Sequence, residues 1–352
     1  MLEEQSQNDD SFRIWKRNTP FLYDKMISHV LKWPSLACRN FTTADKDFVV
    51  LGTHTSLQES EFIHVYEEGN SFKQYQSIAH GTEINSVDVM PQNNQIIATK
   101  MSDLCVFDRT KHATFKLDQR PHPELKHQAG NEGYGLQFSP TTPGLLLTGD
   151  SKSLNVYHVT DATENEQLTQ KIGPRYSFEQ SVEDAVWFKT HDSLIVTAGA
   201  QSSVVDIRTN KVALKLPITS TLSCDSHSSL ISTLIVANDK HIELLDLRNL
   251  ETTLHTFKYH NEEVIKCRFS PTHPNIFAST AGNRLIVWDV CKSASMSDDE
   301  APPEVLFLHG GHNARIGDFD FHPTIPFQLT TVDDENICQI FKIATSIVEN
   351  KK

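Results

Sequence analysis

Seven short runs decide the fold: Ile63-His64-Val65-Tyr66, Val106-Phe107-Asp108, Val156-Tyr157-His158, Val204-Val205-Asp206, Leu244-Leu245-Asp246, Val287-Trp288-Asp289 and Gln339-Ile340-Phe341. Each is apolar and rich in β-branched or aromatic residues, the composition of a buried strand. With Tyr66, Phe107, Tyr157, Val205, Leu245, Trp288 and Phe341 as markers, the spacings are 41, 50, 48, 40, 43 and 53 residues. Self-similarity at that period marks a repeat architecture. Seven units fill the 352 residues, a length too great for one ordinary compact core.

Further strands flank the markers: Ile96-Ile97-Ala98-Thr99, Leu145-Leu146-Leu147-Thr148, Leu194-Ile195-Val196-Thr197, Leu234-Ile235-Val236-Ala237 and Ile276-Phe277-Ala278-Ser279. Turns recur before them at Met90-Pro91, Ser139-Pro140, Ser270-Pro271 and His322-Pro323, where proline stops one strand ahead of the next. Four-stranded units of about 40 to 45 residues are propeller blades of the WD-repeat kind. The expected fold is therefore all-β, a seven-bladed WD-repeat β-propeller with an N-terminal α-helix and a short C-terminal helix. His80, His260 and His312, the last in Gly310-Gly311-His312, fall at blade starts. A hydrogen bond inside the blade suits them better than a metal, because no second ligand stands at metal-site spacing.

Three segments break the repeat. Asn8 to Arg17 places polar capping residues before Phe12 and Trp15, three apart, and predicts a short amphipathic helix within an N-terminal helical unit, 1–20. Segment 292–304 carries Asp298, Asp299, Glu300 and Glu304 around Pro302-Pro303, and is expected as an acidic loop inserted in the last blade of a propeller spanning 21–345. Ile343 to Asn350 predicts a closing helix, with Ile343 and Ile347 at i and i+4, in a terminal unit 343–352. A propeller needs an N-terminal strand to complete its last blade, which assigns 21–31 as strand although its pattern also allows helix.

Composition narrows the function. Apolar residues make up 38%, and no apolar run nears the roughly 18 residues that span a bilayer, so no membrane span is expected. The first thirty residues open on Glu3, Glu4, Asp9 and Asp10 where a secretory signal needs a basic and then an apolar segment, which places the chain in nucleus or cytoplasm. Lys and Arg number 32 against 45 Asp and Glu, a net charge of -13 that repels nucleic acid and anionic lipid and attracts basic partners. Six cysteines are scattered without a CxxC pair, so neither zinc nor disulfides are expected.

An enzyme needs a nucleophile, base and orienter together, or metal ligands at workable spacing. The chain has no GxSxG, HExxH, GxxxxGK[ST] or GxGxxG, and no cofactor, metal or catalytic residue is assigned. Asp108, Asp206, Asp246 and Asp289 sit at strand ends, where capping of the next turn accounts for them. What remains is surface. Acidic and aromatic residues recur at blade entrances, in His80-Gly81-Thr82-Glu83-Ile84-Asn85, Asn131-Glu132-Gly133-Tyr134, Val182-Glu183-Asp184 and Asn261-Glu262-Glu263. Equivalent positions lie on one rim, and carboxylates beside a tyrosine suit a basic peptide; a plain solvated rim is the alternative.

Trp15-Lys16-Arg17-Asn18-Thr19-Pro20-Phe21-Leu22-Tyr23-Asp24 and His29-Val30-Leu31-Lys32-Trp33-Pro34-Ser35-Leu36 closely resemble the opening of the histone-binding WD-repeat family, which includes the retinoblastoma-binding proteins, the small subunit of chromatin assembly factor 1 and subunit 2 of the type B histone acetyltransferase. Further matches run the length of the chain, among them Leu51-Gly52-Thr53-His54-Thr55-Ser56, Glu132-Gly133-Tyr134-Gly135-Leu136, Asp246-Leu247-Arg248-Asn249-Leu250 and Pro302-Pro303-Glu304. The resemblance implies a monomeric, non-catalytic propeller that binds histones H4 and H3 within hetero-complexes. It implies a side groove for the first helix of histone H4, with Phe12, Trp15, Lys16, Phe21 and Leu22 on one wall, Asp298, Asp299 and Glu300 on the other, and Ile343 and Ile347 nearby. It also implies a channel rim for basic tails at Trp33, His54, Glu83, Asn85, Glu132, Tyr134, Glu183 and Glu263.

The chain departs from the family where Pro217-Ile218-Thr219-Ser220-Thr221 holds no acid at the fifth entrance, where Ile265 stands in place of an aromatic, and at its end, which lacks the family's acidic tail. The resemblance leaves open whether acetyltransferase, deacetylase, assembly or methyltransferase machinery is served. The other reading, a WD-repeat substrate receptor of a ubiquitin ligase, draws only on Asp206-Ile207-Arg208 and Asp246-Leu247-Arg248.

Overall fold

Strands that read as unbroken apolar runs are covered on both faces, because successive side chains point to opposite sides of a sheet. In the computed structural model of the chain this holds blade after blade. Ile97, Cys105 and Phe107 turn toward blade one, while Ile96, Ala98, Leu104 and Val106 turn toward blade three. Leu147 and Leu146 divide in the same way between the two neighbours of blade three. The core is thus a ring of apolar layers wedged between sheets. The structure describes residues 2–56, 58–69, 71–113, 123, 125–128, 133–159, 169–292 and 301–349, and at 2–11, 125, 127–128 and 169–174 it is the backbone that is described.

Seven four-stranded antiparallel sheets are present. Blade one begins at Cys38–Thr42 and ends at Phe72–His80, and blades two to six follow in chain order to Val305–His309. Blade seven takes Ile316–Phe321, Gln328–Asp333 and Ile337–Ile343 from the end of the chain and Tyr23–Val30 from its beginning. The N-terminal strand pairs antiparallel with Ile337–Ile343, Ile27 opposite Ile340, and so closes the ring. Closure removes the free edges an open sheet of this size would expose. All seven markers fall on the third strand of their blades.

That placement corrects one expectation. The loop before Val305 joins the third strand of blade six, Arg284–Asp289, to its outer strand, Val305–His309, so it belongs to blade six and not to the last blade. A third strand is followed by its own outer strand before the next blade begins, so counting from marker to marker shifts every such loop forward by one blade.

The helices also differ in extent. Helix α1 covers Leu2–Leu22, so Asn8, Asp9 and Asp10 lie inside it and do not cap it. Pro20 does not end it; a proline in a last turn forfeits one amide bond while the preceding turns stay closed. Strand begins at Tyr23, two residues later than expected. At the other end α2 covers only Thr345–Glu349, and Ile343 is the last residue of a strand, with 1% of its surface exposed.

Three connecting turns are tied to the blade that follows. His80 Nε2 lies 2.8 Å from Thr99 Oγ1, His260 Nε2 lies 2.7 Å from Ser279 Oγ, and His312 lies 2.7 Å from both Thr331 Oγ1 and Asp333 Oδ2. Trp288 Nε1 donates to the same Ser279 hydroxyl at 2.8 Å. Among the described residues no group of His, Cys, Asp and Glu has the arrangement of a metal site, and no helix is long and apolar enough to cross a membrane. The six cysteines are free, with only Cys291 exposed.

Candidate functional site

Helix α1 lies along the outer edge of blades six and seven, and its burial follows the helical period. Phe12, Trp15, Thr19 and Leu22 are half-buried, while Ile14, Lys16, Arg17, Asn18, Pro20 and Phe21 are exposed. Spacings of three and four define one stripe facing the propeller. Ile14 and Phe21, seven residues and nearly two turns apart, share an outer stripe with 62% and 76% of their surfaces exposed.

Trp15 fastens the helix. Its indole N–H donates to the Tyr23 hydroxyl at 2.8 Å, and that hydroxyl lies 2.7 Å from His309 Nδ1 on the outer strand of blade six. Phe12 stacks on the indole at 5.4 Å between ring centres. Burial pushes the Tyr23 phenol well above its ordinary range, with the Trp15 bond offsetting part of the rise. Burial, helped by neighbouring His312, holds His309 well below the ordinary imidazole range, so the relay is formed by neutral groups. Gly311 is required here: a Cβ would stand 2.6 Å from a Trp15 ring carbon and 2.5 Å from Gln339 Oε1.

Of the residues assigned to the H4 groove, Trp15 and Leu22 are therefore engaged in docking the helix, Phe12 covers Trp15, and Lys16 and Phe21 face outward. Ile347 packs half-buried against the same core as Trp15 and Leu22. Ile343 lies beneath that surface as a core residue and forms no wall. Asp298, Asp299 and Glu300 lie outside the described residues; at the end of their loop Pro303 is exposed and Glu304 is buried, 3.3 Å from His255. Ile14 belongs to the outer stripe although sequence reasoning missed it; its seven-residue spacing from Phe21 was the available signal.

The second surface surrounds the central channel, which encloses about 870 Å³. Asn85, Tyr134 and Glu183 line it, with Ile265 from the departure at the sixth entrance. Trp33, His54, Glu83 and Glu263 stand in or beside turns on the same face without lining the channel. Trp33 donates its indole N–H to Glu59 at 3.1 Å, and His54 Nδ1 is 3.8 Å from Glu83. Glu132 lies outside the described residues. Asp334, unremarked in the sequence, lines the channel and is exposed.

Most channel charges are used to hold the blades together. Asp318 accepts from the Cys38 amide at 3.1 Å, Arg39 at 3.0 Å and Arg268 at 3.1 Å, linking blades one, six and seven. Burial alone would raise its pKa, but Arg268 and Arg39 outweigh it and hold the carboxyl below the ordinary range. Asp88 bonds Arg39 at 3.2 Å and the Phe138 amide at 2.6 Å, yet burial prevails there and raises its pKa. Asp225 holds Lys189 at 2.6 Å, and Asp184 holds Lys266 at 3.4 Å. Removing one partner from such a buried pair costs about 3 to 5 kcal/mol, because a charge is left uncompensated. Glu183 and Asp334 have no ion pair among the described residues.

On the opposite face, Arg208 and Arg248 fold back on Asp206 and Asp246 at 2.8 and 2.6 Å. Asp108 caps the Thr110 amide at 3.0 Å and Asp289 the Cys291 amide at 3.0 Å, so the strand-end aspartates serve as turn caps.

Comparison with known proteins yields two matches. The family of the histone-binding protein RBBP4 and its counterpart in the CAF1 complex matches residues 10–70, the segment that holds the outer part of α1, the closing strand and most of blade one. The family described as "WD domain, G-beta repeat" matches residues 251–289, which run from the outer strand of blade five to the third strand of blade six. A histone-binding motif built on a docked N-terminal helix, carried by a seven-bladed propeller with a WD repeat in it, makes this chain a member of the histone-binding WD-repeat family.

Proposed function

We propose that the chain is a non-catalytic adaptor for histones H3 and H4. It grips the first helix of H4 between α1 and the 290–304 loop and takes basic tails on the channel face. The observation that carries this reading is the exposed Ile14 and Phe21 stripe on a helix whose opposite stripe is fixed by Trp15. An amphipathic partner helix can bury its apolar face there, and the acidic sequence Asp298-Asp299-Glu300 would orient its basic side chains. The free Glu183 and Asp334 beside Tyr134 give the channel mouth its capacity for Lys or Arg.

Within a complex the subunit holds histone beside a catalytic or assembly partner in nucleus and cytoplasm, as a relative of type B acetyltransferase subunit 2 or of the small subunit of chromatin assembly factor 1. Tethering raises effective concentration, so the KM of a partner acetyltransferase for histone should fall about 10- to 100-fold when the chain is added. Its kcat should change little, since uniform binding does not favour the transition state. Steady-state assays with and without the chain test this; a raised kcat at constant KM would point to allosteric activation instead. The ubiquitin-ligase reading has less support, because Arg208 and Arg248 are engaged by their own aspartates.

A further inference from the structure

A second, smaller concavity of about 270 Å³ opens on the channel face between blades six and seven. Tyr259, Glu262, Asn283, Arg284, Asn313 and Arg315 contribute to it, and Arg315 also lines the central channel. Arg284 and Arg315 are both exposed and have no ion pair among the described residues. Their condition contrasts with Arg208 and Arg248, which are neutralised by carboxylates two residues away. Two unengaged guanidiniums converge in one hollow on a chain of net charge -13.

Asn283 Nδ2 donates to the His312 carbonyl at 3.1 Å, which fixes the turn that carries Arg284. That turn bends through Gly282 at φ 53°, a left-handed conformation suited to glycine. The Glu262 carboxylate rests against it, so that a Cβ on Gly282 would stand 2.2 Å from Glu262 Oε1. His260 at the floor is held at about 4 by burial, assisted by Arg284, and is neutral at pH 7. Two arginines and one glutamate leave the hollow at +1. Its volume is several times the ~30 Å³ share of a water molecule, enough for a hydrated oxyanion.

We propose that this hollow is an anion subsite that receives a phosphorylated side chain of a basic peptide lying across the channel mouth. Guanidinium forks match phosphoryl oxygens two at a time, which a single-point ammonium cannot do. Arg315 touches both cavities, so a tail held at Glu183 and Tyr134 can place a neighbouring phosphoserine beside it. Phosphorylation, which lowers the positive charge of a tail and weakens its hold on an acidic rim, would here be compensated. The proposal rests on the tail-binding reading for the ligand's approach and stands apart from it in its chemistry.

The test uses the full chain and a 15-residue Arg/Lys-rich peptide with one phosphoserine scanned along it, compared with serine and glutamate at the same position by fluorescence anisotropy. At one register phosphoserine should bind about 5- to 20-fold tighter than serine, the range of one or two charge-assisted hydrogen bonds. The double substitution Arg284→Gln/Arg315→Gln should abolish that preference while holding the serine peptide at least as well as wild type, and Glu262→Gln should enlarge it. O-phosphoserine alone, titrated while the arginine Nε–Hε resonances are followed, reads the hollow even if no tail binds the rim. Saturating shifts at Arg284 and Arg315 support the subsite, and their absence overturns it. A preference that survives the double substitution, or one that glutamate reproduces in full, would overturn the phosphoryl assignment.

Discussion

The α1 side and the channel face use polar and apolar groups in opposite ways. On the side, Trp15, Tyr23 and His309 bond to one another inward, and Ile14 and Phe21 are left facing out. Around the channel, apolar groups are interleaved between blades, and Asp88, Asp184, Asp225 and Asp318 are spent on joining them. The side therefore offers area to bury, about 1.5 to 3 kcal/mol for a Phe or Ile fully covered by a partner. The channel offers a few free charges and one tyrosine, whose attraction for a ligand weakens as salt rises. A rim that looks acidic in sequence is largely neutralised by its own arginines and lysines.

The largest expected effect breaks the side alone. Trp15→Ala removes the helix's anchor and should cost about 3 to 5 kcal/mol of docking energy. Hydrogen exchange should show residues 12–22 losing protection while the blades keep theirs, and an H4 helix peptide should lose measurable affinity. Replacing Asp298, Asp299 and Glu300 together by Ala should weaken the same peptide by roughly 2 to 4 kcal/mol in calorimetry at moderate salt. Unchanged affinity there would remove the acidic loop from the groove.

Acidification probes what the regions share. His80 and His260 are held at about 4 and His309 lower still, all below the unfolded value near 6.5, so the native state binds fewer protons. Their stabilisation is complete above about pH 6.5 and is lost as the pH falls toward 4, on the order of 1 to 3 kcal/mol for each. Asp88, raised by burial, acts in the opposite direction at the low end. Urea melts across this range should show falling midpoints. A flat profile would mean that these imidazoles are protonated in the fold.

The smallest effect belongs to the channel. Tyr134→Ala should weaken a basic tail peptide by about 1 to 2 kcal/mol, more than any single rim carboxylate, since stacking is lost with the polar contact. The wild-type affinity should also fall as salt rises, while that of the H4 helix should change less. Equal salt slopes for the two peptides would erase the distinction between the surfaces.

The repeat is legible because a blade covered on both sides leaves runs such as Leu145-Leu146-Leu147 and Leu234-Ile235-Val236, which no solvent-facing strand would carry. Phe12 and Trp15 disclose the inner stripe of α1 by their spacing. Its length stays hidden because its stability comes from packing on blades six and seven and not from caps. Ile343 misleads since i, i+4 spacing is also available to a strand residue followed by a helical turn. The state of the channel is beyond the sequence for a different reason: Asp318 meets Arg39 and Arg268 only when the ring closes.

Two peptides and two variants test the central claim, that the side and the channel are separate binding surfaces. Calorimetry would measure an H4 helix peptide and an H3 tail peptide against wild type, Ile14→Ala/Phe21→Ala and Tyr134→Ala. The account predicts that the helix double substitution weakens the H4 peptide at least about tenfold, or 1.4 kcal/mol, and leaves the tail within about twofold. Tyr134→Ala should do the reverse. An H4 peptide indifferent to Ile14 and Phe21, or both peptides weakened alike by both variants, would contradict it.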